Sequence, residues 1–220
     1  MILLDALTVL AAVGAPRRRA AGTGTHDATG ASGDGGDGGD DALIARHRDG
    51  DRAAFAAIYD RHVDAVYARL TRLLGPISER EDLTQDVFLG LHRALPTFRG
   101  DAALGTLLYR ITVNVAFEHL RRRARRPTVA LDEVMLAALV DPGPTPEATT
   151  RRGQDIALVL RCLDRIKPAK RIALVLRAVE GLSIDEIARV VQASPDAAAK
   201  RVQHGLKELT ALLAREEARR

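Results

Sequence analysis

Residues 182–209 read L-S-I-D-E-I-A-R-V-V-Q-A-S-P-D-A-A-A-K-R-V-Q-H-G-L-K-E-L. The pattern is two helices around a short turn. Ile184, Ile187, Ala188 and Val191 recur at helical spacing and give the first helix an apolar face. Ala188 is small, so a second helix can cross it closely. Gln192-Ala193-Ser194 is the turn. Ser194 suits the N-cap and Pro195 the first helical position. On the second helix Ala198, Val202, Leu206 and Leu209 are expected inward, leaving Ala199, Lys200, Gln203, His204 and Lys207 toward solvent. This is helix-turn-helix spacing. In that motif the second helix enters the DNA major groove, where Lys200 can meet phosphate or guanine and Gln203 can read adenine. Periodicity alone also fits a plain helical hairpin with a solvated charged face.

Working outward, the same periodicity fills most of the chain. Helices are expected over 154–166, 170–180 and 183–192, and from Ser194 to about Arg215. Further upstream, Asp41–Arg48 is a short helix candidate, and 51–74 a long one with Phe55, Ile58, Val63, Val66, Leu70 and Leu73 on one face. Gly75-Pro76 ends it. Ser78 and Glu81 have capping-box spacing before a helix reaching Leu95, with Leu83, Val87, Phe88, Leu91 and Leu95 inward. A loop at 97–102 precedes a helix from about Leu104 to Arg123. Its apolar positions are Leu104, Leu108, Ile111, Val115 and Leu120. No strand-like alternation competes. The expected fold is all-α: two small helical domains joined by a flexible linker.

The boundaries follow from composition. Nine of the 18 glycines lie in the first 40 residues, so 1–40 is expected to be an extension, disordered over 20–40. Its apolar start, residues 1–15, is too short to span a bilayer and lacks a preceding basic segment, so no membrane insertion and a cytoplasmic location are expected. The first domain covers 41–126. All seven aromatic residues fall between 55 and 117. Residues 127–153 carry Pro127, Pro142, Pro144 and Pro146 and form the linker, with a short helix candidate at 131–140. The second domain covers 154–215, and 216–220 is a tail.

Composition also excludes function classes. The chain has 220 residues, 46% hydrophobic and 28% charged, with 33 Lys+Arg against 29 Asp+Glu and a net charge of +4. One cysteine, Cys162, rules out an internal disulfide or a multi-cysteine zinc site. It lies among Ile156, Leu160 and Leu163, as a buried structural thiol would. The six histidines have no metal-ligand spacing, and no phosphate-binding G-x-x-x-x-G-K-[ST] loop is present. Neither an enzyme nor a cofactor is expected. Five arginines in 121–126 form a basic run, either a solvated helix end or a phosphate contact.

Two further stretches carry a resemblance. E-D-L-T-Q-D-V-F-L-G-L-H-R-A-L-P-T-F-R-G-D at 81–101 and T-L-L-Y-R-I-T-V-N-V-A-F-E-H-L-R-R-R at 106–123 resemble the bacterial sigma factors of RNA polymerase, closest to the extracytoplasmic-function (ECF) type. L-S-I-D-E-I-A at 182–188 and its spacing to Ser194 and Arg201 match the same group. The resemblance covers about 41–215. It implies promoter recognition, promoter melting and transcription initiation with core polymerase, commonly under an anti-sigma factor. Asp82, Gln85, Asp86 and Leu89 would contact core polymerase. The bare residues allow Asp82 and Asp86 to be helix N-terminal charges on a solvated face.

The resemblance further implies that Phe98, Arg99, Gly100, Asp101, Tyr109, Arg110 and Asn114 bind an unstacked base of the −10 element, with Arg121 and Arg122 on phosphate. A bared base needs a small pocket, polar groups and a stacking surface. Asn114 offers donor and acceptor. For Phe98, core packing is an equal reading. The family often has Trp where Leu107 stands, so one aromatic that supports melting is absent. Lys200, Arg201, Gln203, His204 and Lys207 would meet the −35 duplex. The family's usual G-T-V reads Asp196-Ala197-Ala198 here, a common basic residue is Ala199, and His204 stands for Arg, so the preferred −35 sequence does not carry over. Two other classes compete: an operator-binding regulator using only 154–215, and a decoy that binds polymerase without reading DNA. Dependence of initiation on the chain separates them.

Overall fold

The computed structural model describes residues 37–125 and 146–219. The expected extension over 1–36, the helix candidate at 131–140 and most of the linker lie outside the described residues.

Every regular element among the described residues is helical. They are α1 (Asp37–Arg48), α2 (Arg52–Leu74), α3 (Arg80–Ala94), a 3-10 turn (Leu95–Thr97), α4 (Leu104–Arg125), α5 (Pro146–Asp164), α6 (Pro168–Ala178), α7 (Ile184–Val190) and α8 (Pro195–Glu217). The first group packs α2, α3 and α4 around Ile58, Val66, Leu70, Leu73, Leu83, Val87, Phe88, Leu91, Leu95, Leu104 and Leu108, all buried. The second packs α8 across α6 and α7. Its core holds Ile172, Leu174, Val175, Leu176, Ile187, Ala188, Ala198 and Leu209. Cys162 is buried among them, and burial pushes its thiol above the usual value.

Several expectations are corrected. The extension does not run to residue 40, because α1 starts at Asp37. Asp40 is buried and binds Arg61 at 2.6 Å and His62 at 3.0 Å. Two partners on α2 thus give this carboxylate a place in the core that hydropathy could not signal. The linker does not reach 153, since α5 begins at Pro146, and α8 runs two residues past Arg215 into the expected tail. Ser78 and Glu81 form no capping box: the N-cap of α3 is Glu79, without a side-chain cap bond, and Ser78 Oγ donates to Glu79. Arg80 stabilises this end instead. Its buried guanidinium donates to the Ile77 carbonyl and to Thr71 Oγ1 and lies 4.8 Å from the Tyr67 ring centroid.

The inward face of α8 is also corrected. Leu206 is exposed, and Gly205 is buried in its place. A Cβ at Gly205 would sit 3.0 Å from the Lys170 carbonyl oxygen and 3.4 Å from Leu174 Cβ. Glycine here lets α8 lie against α6. Several residues of the expected apolar faces, among them Phe55, Val63, Ile111, Val115, Ile184, Val191 and Val202, pack half-buried at the margin of the core.

The two groups are not held apart. The C-terminal end of α2 and the flank of α4 pack on α6, and α5 reaches them through Leu160 and Asp164. Gly75 takes φ +82°, a left-handed value that glycine adopts without strain. Leu160 of α5 fills the space a side chain there would need, 3.0 Å from the ideal Cβ position.

Candidate nucleic-acid and polymerase interfaces

The loop after α3 is built from its backbone outward. The chain leaves α3 through the 3-10 turn, and the last carbonyls of a helix lack partners of their own. The Leu95 carbonyl accepts from the Phe98 amide at 3.3 Å, and Arg48, the final residue of α1, adds a charged donor. Its guanidinium donates to the Leu95 carbonyl at 3.2 and 3.1 Å and also to the Phe98 carbonyl. Sequence reasoning missed Arg48; its position in the last turn of α1 is the only hint. With the loop tied at that point, Phe98 is half-buried against the core, while Arg99, Gly100 and Asp101 are exposed. Gly100 has φ +79° with open space about it. Backbone can therefore be approached closely there.

On α4, Arg110, Asn114 and Arg121 are exposed and, with half-buried Phe117, recur at spacings of three and four. They form one stripe along the helix. Arg121 is held by Glu118 at 2.8 Å and lies 5.8 Å from the Phe117 ring centroid. A cation, an amide, an aromatic face and a second cation then follow one another, a composition suited to a single strand. Arg122 is exposed one position off the stripe. Tyr109 is not brought to this stripe. Its ring lies under the Arg69 guanidinium at 4.2 Å, its hydroxyl is buried without a hydrogen bond, and burial raises that hydroxyl's pKa well above its usual value.

On α3, Asp82, Gln85, Asp86 and Leu89 are all exposed at spacings of three, one and three. Leu89 is 53% exposed, one of two large apolar side chains in that state among the described residues. An apolar residue flanked by carboxylates and an amide is what a protein-docking face would present.

In the second group the turn has the local chemistry its sequence implies. Ser183 and Glu186 form a full capping box at the start of α7, and Ser194 Oγ accepts from the Ala197 amide at the start of α8. Gln192 adopts φ +50° at the turn. Lys200, Gln203, His204 and Lys207 are exposed on one face of α8. Lys200 is partly neutralised by Asp196, 2.8 Å away. Arg201 stands apart from that face. It is half-buried and lines a cleft with Val191, Ala169, Phe117 and Asn114.

Among the described residues no group of three metal-ligating side chains occurs, and no helix is long and apolar enough to cross a membrane.

This architecture defines a two-part all-helical protein with a helix-turn-helix in its second part, and the comparisons give its class. Residues 58–126 match the family Sigma-70 region 2, and residues 156–209 match Sigma-70, region 4. RNA polymerase sigma-H factor of Pseudomonas aeruginosa is 35% identical over 157 residues, covering 68% of this chain and 81% of that protein. ECF RNA polymerase sigma factor SigM of Mycobacterium tuberculosis is 34% identical, covering 78% and 83%. Among solved structures, CnrH in complex with the cytosolic domain of CnrY superposes with a TM-score of 0.51 at 24% identity, over 80% of this chain and 97% of that one, which supports the fold. The chain belongs to the ECF-type sigma factors of RNA polymerase, which direct promoter recognition and transcription initiation.

Proposed function

We propose that the two halves divide promoter recognition between them. The first half, 41–126, docks on core polymerase through Asp82, Gln85, Asp86 and Leu89, and holds a bared −10 base with the Phe98–Asp101 loop and Asn114. Arg110, Arg121 and Arg122 track phosphates beside it, each neutralised phosphate of the single strand steepening the salt dependence by about 0.7 in log–log slope. The second half, 154–215, places Lys200, Gln203, His204 and Lys207 on the −35 duplex, and Arg201, set off that face, contacts a flanking phosphate or braces the motif. The stripe of Arg110, Asn114, Phe117 and Arg121 carries this reading, because it joins charge, amide and aromatic surface on one exposed helix face.

No chemistry is asked of the chain. Strand opening draws on binding energy: a captured base cannot re-pair, so the melted state gains what the duplex does not. The chain acts in the cytoplasm, where polymerase is. Two solved relatives, CnrH in complex with the cytosolic domain of CnrY and RpoE of Bartonella quintana in complex with the anti-sigma factor NepR, support an anti-sigma partner here as well.

Reconstituted transcription tests the whole reading. Core polymerase plus this chain, on a genomic fragment library, is expected to start at a defined set of promoters. Promoter-independent DNA binding without initiation would return the protein to the operator-binding class.

A further inference from the structure

The contact between the two halves combines apolar packing, Leu160 on Gly75, with a set of charged pairings. Arg171 of α6 is almost fully buried. Its guanidinium donates to the Leu74 carbonyl at 2.8 Å and the Leu73 carbonyl at 3.3 Å, the last residues of α2. Those carbonyls are unpartnered within their helix and carry its negative dipole end, so a cation is favoured there. Asp164 holds Arg171 from the other side and also takes Arg123 of α4 at 3.0 Å. Glu180 meets Arg72 at 2.5 Å and Arg69 at 3.5 Å. Arg171 to the Leu73 and Leu74 carbonyls, Arg123 to Asp164, and Arg72 and Arg69 to Glu180 each join one half to the other, whereas Asp164 braces Arg171 from within the second half. Charged pairings of this kind are characteristic of the more polar interfaces between domains that move, rather than of a domain core.

The closed form is incompatible with gripping a promoter. Asn114 and Arg201 line one cleft. Ten base pairs of duplex span about 34 Å, so elements centred about 25 base pairs apart lie about 85 Å apart. Residues that share a cleft cannot reach both. The closed form also engages Arg123 through Asp164.

We propose that this seam is an intramolecular latch, with Arg171 plugging the end of α2 and Glu180 clasping Arg69 and Arg72, and that it must open for promoter-competent polymerase binding. The proposal rests on the sigma-factor reading for its consequence, though not for the latch itself. A closed fraction of about 90% would weaken apparent core affinity about tenfold, since only the open fraction binds.

The test uses the full chain, with dyes at Asp60→Cys and Ala211→Cys in a Cys162→Ala background. Glu180→Lys is expected to lower energy transfer between the dyes, and adding Arg69→Glu and Arg72→Glu to restore it, each variant keeping its helical circular dichroism. Unchanged transfer in a folded Glu180→Lys chain would overturn the latch. Core polymerase affinity is measured on the same proteins. A rise of about tenfold in Glu180→Lys, reversed in the triple variant, is expected. Opening without any gain in affinity would overturn the inhibitory role, whereas absence of core binding in every variant would overturn the sigma-factor assignment and leave the latch standing.

Discussion

Arg171 Nη2 donates to the carbonyl of Leu74 at 2.8 Å across 97 residues of chain. A buried guanidinium is costly to desolvate, and burial lowers its pKa against the opposing pull of Asp164. Arg171→Leu removes the cation and leaves two carbonyls and a carboxylate short of a partner. Leaving a buried polar group unpaired costs about 1–3 kcal/mol. The seam can admit water, so the variant is expected to separate its halves before it unfolds. Small-angle scattering should show a larger radius of gyration, and urea melts a loss of about 2 kcal/mol.

Asn114 and Asp86 lie on different helices and serve different steps, so their variants should separate. Asn114→Ala is expected to reduce open-complex formation, read by permanganate footprinting, with core affinity unchanged. Asp86→Arg reverses a charge on the exposed face of α3 and should reduce core affinity first. Equal losses in both assays for Asn114→Ala would remove it from the base-binding surface.

Asp196 bonds Lys200 at 2.8 Å on the face of α8 assigned to duplex. Both side chains are well exposed, so the pair adds little stability. It does restrain a cation that phosphate could use. Asp196→Ala should tighten −35 duplex binding a few-fold and steepen the salt dependence by up to about 0.9 in log–log slope. Fluorescence anisotropy across a salt series reads both.

Periodicity made most of the core legible. Ile58, Val66, Leu70, Leu83, Val87 and Leu91 lie where helical spacing puts them, since apolar side chains at that spacing have one face to bury. The candidate surface on α8 was legible for the same reason, because the polar residues between those apolar positions must face out, whereas the one on α3, with its apolar Leu89, came from the family resemblance. What escaped was polar and long-range. Arg171 and Glu180 look like any surface charge in sequence, and only the docking of the halves gives them partners. Asp40 hides in a glycine-rich run whose composition argues for disorder. Gly205 carries no hydropathy, so the inward position went to its apolar neighbour Leu206.

Gly205 gives a test of that correction. In an open helix, Gly→Ala stabilises by up to about 1 kcal/mol. Here the new methyl would meet the Lys170 carbonyl oxygen at 3.0 Å, a backbone atom that cannot swing away. Gly205→Ala is therefore expected to destabilise the second half by about 1–2 kcal/mol through overpacking. Leu206→Ala, at an exposed position, should change stability by less than about 0.5 kcal/mol. Thermal melts of the two variants should thus rank opposite to their hydropathy change.

Ser183 and Glu186 close the start of α7 reciprocally. The Glu186 carboxylate accepts from the Ser183 amide at 2.8 Å and from its hydroxyl at 2.7 Å. Those bonds, the backbone one first, hold Glu186 below its ordinary value of 4.5. A carboxylate lowered on folding contributes stability above its unfolded pKa and loses it as pH falls through the folded value. The window therefore lies in the acid range, below about 4.5. Ser183→Ala removes the hydroxyl bond to Glu186 and the N-cap acceptor for the Glu186 amide. It should cost about 1 kcal/mol of stability near neutrality and let the Glu186 pKa rise toward its ordinary value. The backbone bond survives, so the rise should be incomplete. A carboxyl-detected NMR titration of Glu186 in both proteins checks the direction, and an unchanged pKa would show that the hydroxyl contributes nothing to the cap.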